Sequence, residues 1–177
     1  ETKDSEFTWK DFQTRNNSEL VAIYGNFVNR AMVLTHKYCD GKVPARGELT
    51  DFDKETLATL ADFPAKIGEA IENYRFREGL SFLMDFARLG NKYLAETQPW
   101  QVIKTDAERV NTIMNIALQI AASLAIVSEP FLPFTAAKLC QQLGMKKSIT
   151  GHQSLSHQWE DAGNVDLLPT GAAIGEA

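Results

Sequence analysis

From Glu19 to Lys37 the apolar residues Leu20, Ile23, Tyr24, Phe27, Ala31 and Leu34 recur every three or four positions, with polar residues between them. That period lines one side of an α-helix, whereas a strand would alternate every second residue. Asn16-Asn17-Ser18 supplies capping side chains for its start. Cys39-Asp40-Gly41 stops it before an irregular loop at Val43-Pro44. Earlier in the chain, Thr8-Trp9-Lys10-Asp11 reads as a short capped turn, with Thr8 over the acid three positions on.

A second helix is predicted from Thr50-Asp51 towards Asn73, with Leu57, Leu60, Ala61, Ile67 and Ile71 as its buried stripe and a kink at Pro64. A third, from Arg75 to Glu96, carries Leu80, Leu83, Met84, Ala87 and Tyr93 inward. Gln98-Pro99-Trp100 breaks it, because the residue before proline is pushed out of helical geometry while proline suits the first position of a new helix. Trp100 thereby falls in the first turn of a short helix, at an exposed corner. The most apolar stretch, Asp106 to Val127, is expected to be the central buried helix, through Val110, Ile113, Met114, Ala117, Ile120, Ala121 and Leu124. Pro130 and Pro133 end it, and a last helix covers Phe134 to Leu143 with Gly144 as its cap. The sequence therefore reads as all-α, a five-helix bundle. Beyond Ser148 the pattern is lost, and a loosely attached tail is expected.

Composition adds limits. With 44% hydrophobic and 23% charged residues in 177, the chain has enough apolar material for one core. It has no run of eighteen apolar residues to cross a membrane, and its polar opening, Glu1 to Glu6, is unlike a secretory signal. Two cysteines, Cys39 and Cys140, fit a reduced, cytoplasmic setting. A net charge of −5 argues against a general nucleic-acid binder, although Arg30, Lys37, Lys42 and Arg46 face only Asp40 across that stretch.

Catalytic signatures are absent. There is no Gly-x-Gly-x-x-Gly, P-loop or Gly-x-Ser-x-Gly. His36 and Cys39 lie three apart, but only His152 and His157 remain to complete a zinc site, so they read as a surface histidine and a half-buried thiol, and no metal site is expected. Gly144-Met145-Lys146-Lys147-Ser148 looks like the lysine-rich ATP loop of class I synthetases, yet it follows a helix end with no nucleotide-binding βαβ unit before it, and is not read as catalytic.

Asn26 and Arg30, four apart, share a face of the first helix, with Asn29 beside them. An amide offers donor and acceptor, a guanidinium a planar fork of donors, and an indole such as Trp100 a stacking surface. Splayed single-stranded bases are read by that combination. The same residues also suit structural work: Asn26 on a helix end, Arg30 paired with an acid such as Glu96, Trp100 plugging the corner.

The segments Asn17-Ser18-Glu19-Leu20-Val21, Tyr24-Gly25-Asn26-Phe27-Val28-Asn29-Arg30 and Lys37-Tyr38-Cys39-Asp40-Gly41-Lys42-Val43-Pro44 resemble methionyl-tRNA synthetases just after their catalytic half. So do Asn73-Tyr74-Arg75-Phe76-Arg77, Asn91-Lys92-Tyr93-Leu94, Gln98-Pro99-Trp100 and Leu167-Leu168-Pro169. The resemblance implies a helical bundle of the class I anticodon-binding type. Residues 1–16 would be the connector from the catalytic half, 17–147 the bundle and 148–177 a tail. It implies that Asn26 and Arg30 bind the first anticodon base, a cytosine, and that Trp100 stacks on it, with Asn29 and Pro99 in support. Ala22 stands where some relatives have another asparagine.

The implied partners are the CAU anticodon loop of methionine tRNA and the catalytic domain of the same polypeptide, with no membrane. The fragment would hold no catalytic residues and no cofactor. The parent ligase would use ATP and magnesium, and the resemblance allows for zinc in its catalytic half. Two rival readings are a helical protein-interaction module presenting Trp9 and Trp159, and the anticodon domain of another class I synthetase.

Overall fold

Helical winding starts at Trp9 and continues without a stop to Cys39. In the computed structural model, which describes residues 6–145 and 158–176, this stretch comprises α1 (Trp9–Arg15), a π-helical segment (Asn16–Gly25) and α2 (Asn26–Cys39). Thr8 caps α1 as expected, its side chain accepting from Asp11 N. Asn16-Asn17-Ser18, however, caps nothing: Ser18 Oγ instead donates to Thr14 O at 2.7 Å. No glycine or proline lies between Trp9 and Tyr24, so the helix has no reason to break there. Asp40, in the left-handed region at φ 50°, and Gly41, at φ 66°, end α2.

The next four long helices fall close to their expected bounds: α3 (Asp51–Glu72), α4 (Phe76–Thr97), α6 (Ala107–Val127) and α7 (Pro133–Gln142), with the short α5 (Pro99–Val102) at the corner. With α2 they make the five-helix bundle, and no strand occurs among the described residues. α6 runs through the middle and is buried from Thr112 to Val127. Its length and apolar composition would suffice to cross a bilayer, but those residues are spent on packing against α2, α3, α4 and α7.

Two stripe positions differ from expectation: Ala61 and Leu80 face outward. α3 buries Thr56, Phe63 and Pro64 instead, and α4 buries Gly79 in place of its neighbour Leu80. A Cβ on Gly79 would stand 3.0 Å from the Phe131 ring, so the absent side chain is what lets α4 sit close there.

The C-terminal stretch departs most from the sequence reading. A 3-10 turn (Trp159–Gly163) and the extended chain after it pack on the bundle. Trp159, not exposed but half-buried, donates from Nε1 to Pro64 O. Gln119 clamps both backbone groups of Leu168 at 2.9 Å, and Ser123 Oγ donates to Ala162 O. Val43 N donates to Ala172 O, and Lys42 and Ala173 form one antiparallel bridge. An aperiodic segment holds its place here because buried polar side chains of α6 satisfy its backbone. The loosely attached tail expected of residues 158–176 is therefore not found. Glu1 to Ser5, Lys146, Lys147, Ser148, His152 and His157 lie outside the described residues.

Candidate nucleic-acid interface

Asn26 opens α2 and Arg30 follows one turn later, which puts both on the same side. Asn26 and Asn29 are exposed, and Arg30 is half-buried. With Val21, Ala22 and Gly25, the two asparagines line a shallow depression of about 630 Å³. On the opposite wall of the helix, Phe27 is fully buried against α4. The approach there is very close: a Cβ on Gly90 would lie 2.3 Å from the Phe27 ring. Only glycine at 90 lets the two helices meet at that height.

Asn91, the next residue on α4, uses that proximity. Its Nδ2 donates to Ile23 O at 2.9 Å and to Ala87 O at 3.3 Å, while its Oδ1 accepts from Asn26 Nδ2 at 3.0 Å. Ile23 O sits where π winding gives way to α, and it also takes the Asn26 backbone N–H. Nothing in the sequence alone gave Asn91 a role at this ridge. Its one signal was an amide in mid-helix, where such a side chain is mildly unfavourable unless something uses it.

Trp100 reaches the same ridge from α5. Gln98 takes the left-handed conformation at φ 43°, which turns the chain sharply after α4, and buried Pro99 fixes the first residue of α5. Trp100 follows, half-buried, and the Arg30 guanidinium carbon stands 5.2 Å from the centroid of its ring. That is a cation–π contact. Among the described residues Arg30 makes no ion pair, with Glu96 or any other acid. Arg30 and Trp100 are thus in contact, Asn26 is one turn away, and Asn29 flanks them.

Two other basic residues of this stretch, Arg46 and Lys37, are engaged elsewhere. Arg46 is held by Asp166 and Val165 O, and Lys37 lies 5.3 Å from the Tyr38 ring centroid. His36 Nε2 is 2.7 Å from Gly175 O, tying α2 to the returning chain, and so has a structural job. Burial and, after it, the Asp40 charge push the Cys39 thiol up to about 11, which keeps it protonated rather than a thiolate ligand or nucleophile.

Beneath the corner lies a second cluster, unforeseen from the sequence. Asp53 is fully buried at the third position of α3, in a capping box with Thr50. It accepts from Tyr93 OH at 2.7 Å and from Arg109 at 2.9 Å. Burial alone would raise its pKa, but hydrogen bonds from Arg109, Tyr93 and Thr50 outweigh that and hold it at about 2. Burial and the bond to Asp53 push the Tyr93 hydroxyl far up, and the Asp53 carboxylate raises Arg109. This knot joins α3, α4 and α6 just before α4 ends at the Trp100 corner.

Residues 43–174 match the family described as the anticodon binding domain of methionyl tRNA ligase, and residues 1–32 match the class I (M) tRNA synthetases. Asn26 and Arg30 fall in the second match and Trp100 in the first. The methionine–tRNA ligase of Cytophaga hutchinsonii is 59% identical over 177 residues, covering 100% of this chain and 24% of that protein. That of Phocaeicola vulgatus is 55% identical, covering 100% and 25%. The chain thus spans about a quarter of the length of these relatives. Among solved structures, the Mycobacterium tuberculosis methionyl-tRNA synthetase with methionyl-adenylate superposes with a TM-score of 0.83 at 24% identity, over 97% of this chain and 33% of that one. Its apo form gives 0.84 at 24%, over 99% and 34%. At that identity the likeness concerns the fold.

Proposed function

We propose, for a chain that belongs to the family of methionyl-tRNA ligase anticodon-binding domains, that it reads the CAU anticodon of methionine tRNA through Asn26, Arg30 and Trp100. The observation that carries this is the Arg30 guanidinium, without an ion pair among the described residues, lying over the Trp100 ring one turn from an exposed amide. A cation–π contact at such a site is worth about 0.5–1 kcal/mol, whereas a base stacked on an aromatic ring contributes about 1–3 kcal/mol. Exchange of partners is therefore favourable: the ring takes the cytosine, and the guanidinium moves to its edge. Pro99 holds the corner and Asn29 supports the ridge.

In the whole ligase, residues 1–16 would connect the bundle to a catalytic domain that joins methionine to tRNA with ATP and magnesium. Anticodon binding would then position the acceptor end there, in the cytoplasm. A hairpin RNA carrying CAU in its loop tests the site. Trp100→Ala should weaken its binding by roughly 5- to 150-fold. Equal affinity for the two proteins would rule the site out.

A further inference from the structure

The bonds behind Asn26 decide which end of its amide faces outward. Asn91 Nδ2 faces Ile23 O and Ala87 O, two backbone carbonyls that can only accept, so the nitrogen end of Asn91 must lie there. Its oxygen is then turned to Asn26, where it can only accept, and Asn26 must present its NH2. Two carbonyls thus orient two amides in series. What remains free on Asn26 is the carbonyl oxygen, which has no partner among the described residues, and the second N–H of its NH2 on the side of Asn91.

Resting on the reading of this ridge as an anticodon-base site, we propose that Asn91 is a positioning residue. It holds Asn26 with its oxygen outward, so that the ridge selects a base with an exocyclic amino group over one with a carbonyl in its place. Cytosine, with its N4 amino donor, satisfies that oxygen. Uracil would set its O4 against it, oxygen to oxygen. Arg30, a donor only, meets the ring acceptors of cytosine. An Asn26 amide free to turn would offer NH2 to uracil equally well, and discrimination would shrink. Gly90 belongs to the same device, because a side chain there would strike Phe27 and hold Asn91 off.

The test measures the ratio of affinities for hairpins with CAU and UAU loops, using the 177-residue chain. Asn91→Ala should lower that ratio by on the order of tenfold. Asn91→Asp keeps an oxygen to accept from Asn26 but cannot donate to Ile23 O, and should retain the ratio even where its charge weakens both hairpins alike. Trp100→Ala should weaken both and leave the ratio nearly unchanged, since stacking is tolerant of base identity. Equal loss of ratio in Asn91→Ala and Asn91→Asp would overturn the proposal, as it would mean that Asn91 matters only through the Ile23 carbonyl.

A reading without RNA separates this from the site assignment. The Asn26 side-chain NH2 should exchange its protons with water more slowly than that of exposed Asn29. Equal exchange would overturn the clamp whatever the hairpins do. A protected Asn26 in a wild-type chain that binds CAU and UAU equally would instead remove the site reading, and the selection built on it.

Discussion

Arg30 and Arg109 are both arginines of this bundle, each drawn toward an aromatic side chain, and they are used in opposite ways. Arg109 meets a fully buried carboxylate that is also held by Tyr93 and the Thr50 cap. Arg30 meets no acid among the described residues and rests on the Trp100 ring at the surface. A buried charge without its partner costs several kcal/mol, so Arg109 is committed to the fold. A half-exposed guanidinium on an indole gives up about 0.5–1 kcal/mol when it moves, so Arg30 can be spared for a ligand. The pairing state of a cation, more than its presence, separates structure from recognition here.

The contrast is easiest to break at Asp53. Asp53→Ala leaves Arg109 and Tyr93 without their acceptor and should cost about 3 kcal/mol of folding stability, seen as an earlier urea midpoint. A stability change below about 1 kcal/mol would mean that the knot is not what ties α3, α4 and α6 together.

Acid titration sharpens the same point. Asp53 is held at about 2, below its ordinary 3.8, so its contribution is complete above the ordinary carboxylate range and is lost as pH falls through 2. Urea melts should show about 2 kcal/mol lost on that descent, and Asp53→Asn, already weaker at neutral pH, should lack this component. The smallest effect is expected at the ridge. Trp100→Ala should change stability by about 1 kcal/mol or less, for a half-buried ring on a short helix, while RNA affinity moves by far more. A stability loss matching that of Asp53→Ala would make Trp100 a structural plug.

Much of this was legible in the chain. Periodicity located α3, α4, α6 and α7 because each buries a continuous apolar stripe, and Gln98-Pro99 marked the corner through steric rules that hold in any context. Asn26, Arg30 and Trp100 drew notice by their chemistry, but nothing in the sequence brought Arg30 to Trp100 across seventy positions; that needed the left-handed Gln98 and the packing of α2 on α4. Asn91, Asp53 and Arg109 stayed hidden because their partners lie on other helices. Residues 158–176 stayed hidden for a related reason. Their order comes from Gln119 and Ser123 of α6, and a segment held by another's side chains carries no period of its own.

The π-helical segment between α1 and α2 acts as a phase setting. Asn16–Gly25 closes its hydrogen-bonded rings over five residues rather than four, so it turns less per residue than an α-helix of the same length. The exposed aromatic group Phe7, Trp9 and Phe12 stands at one end of this winding, and Asn26 at the other. Each α-helical residue advances the direction by about 100° and 1.5 Å. Removing one residue between Asn16 and Leu20 would leave the Asn26 ridge and its Asn91 clamp where they are, yet swing the aromatic end by somewhat less than that angle, because the π-helical winding turns less per residue. In this stretch the number of residues, more than their identity, sets the bearing from which anything attached ahead of Phe7 meets the ridge.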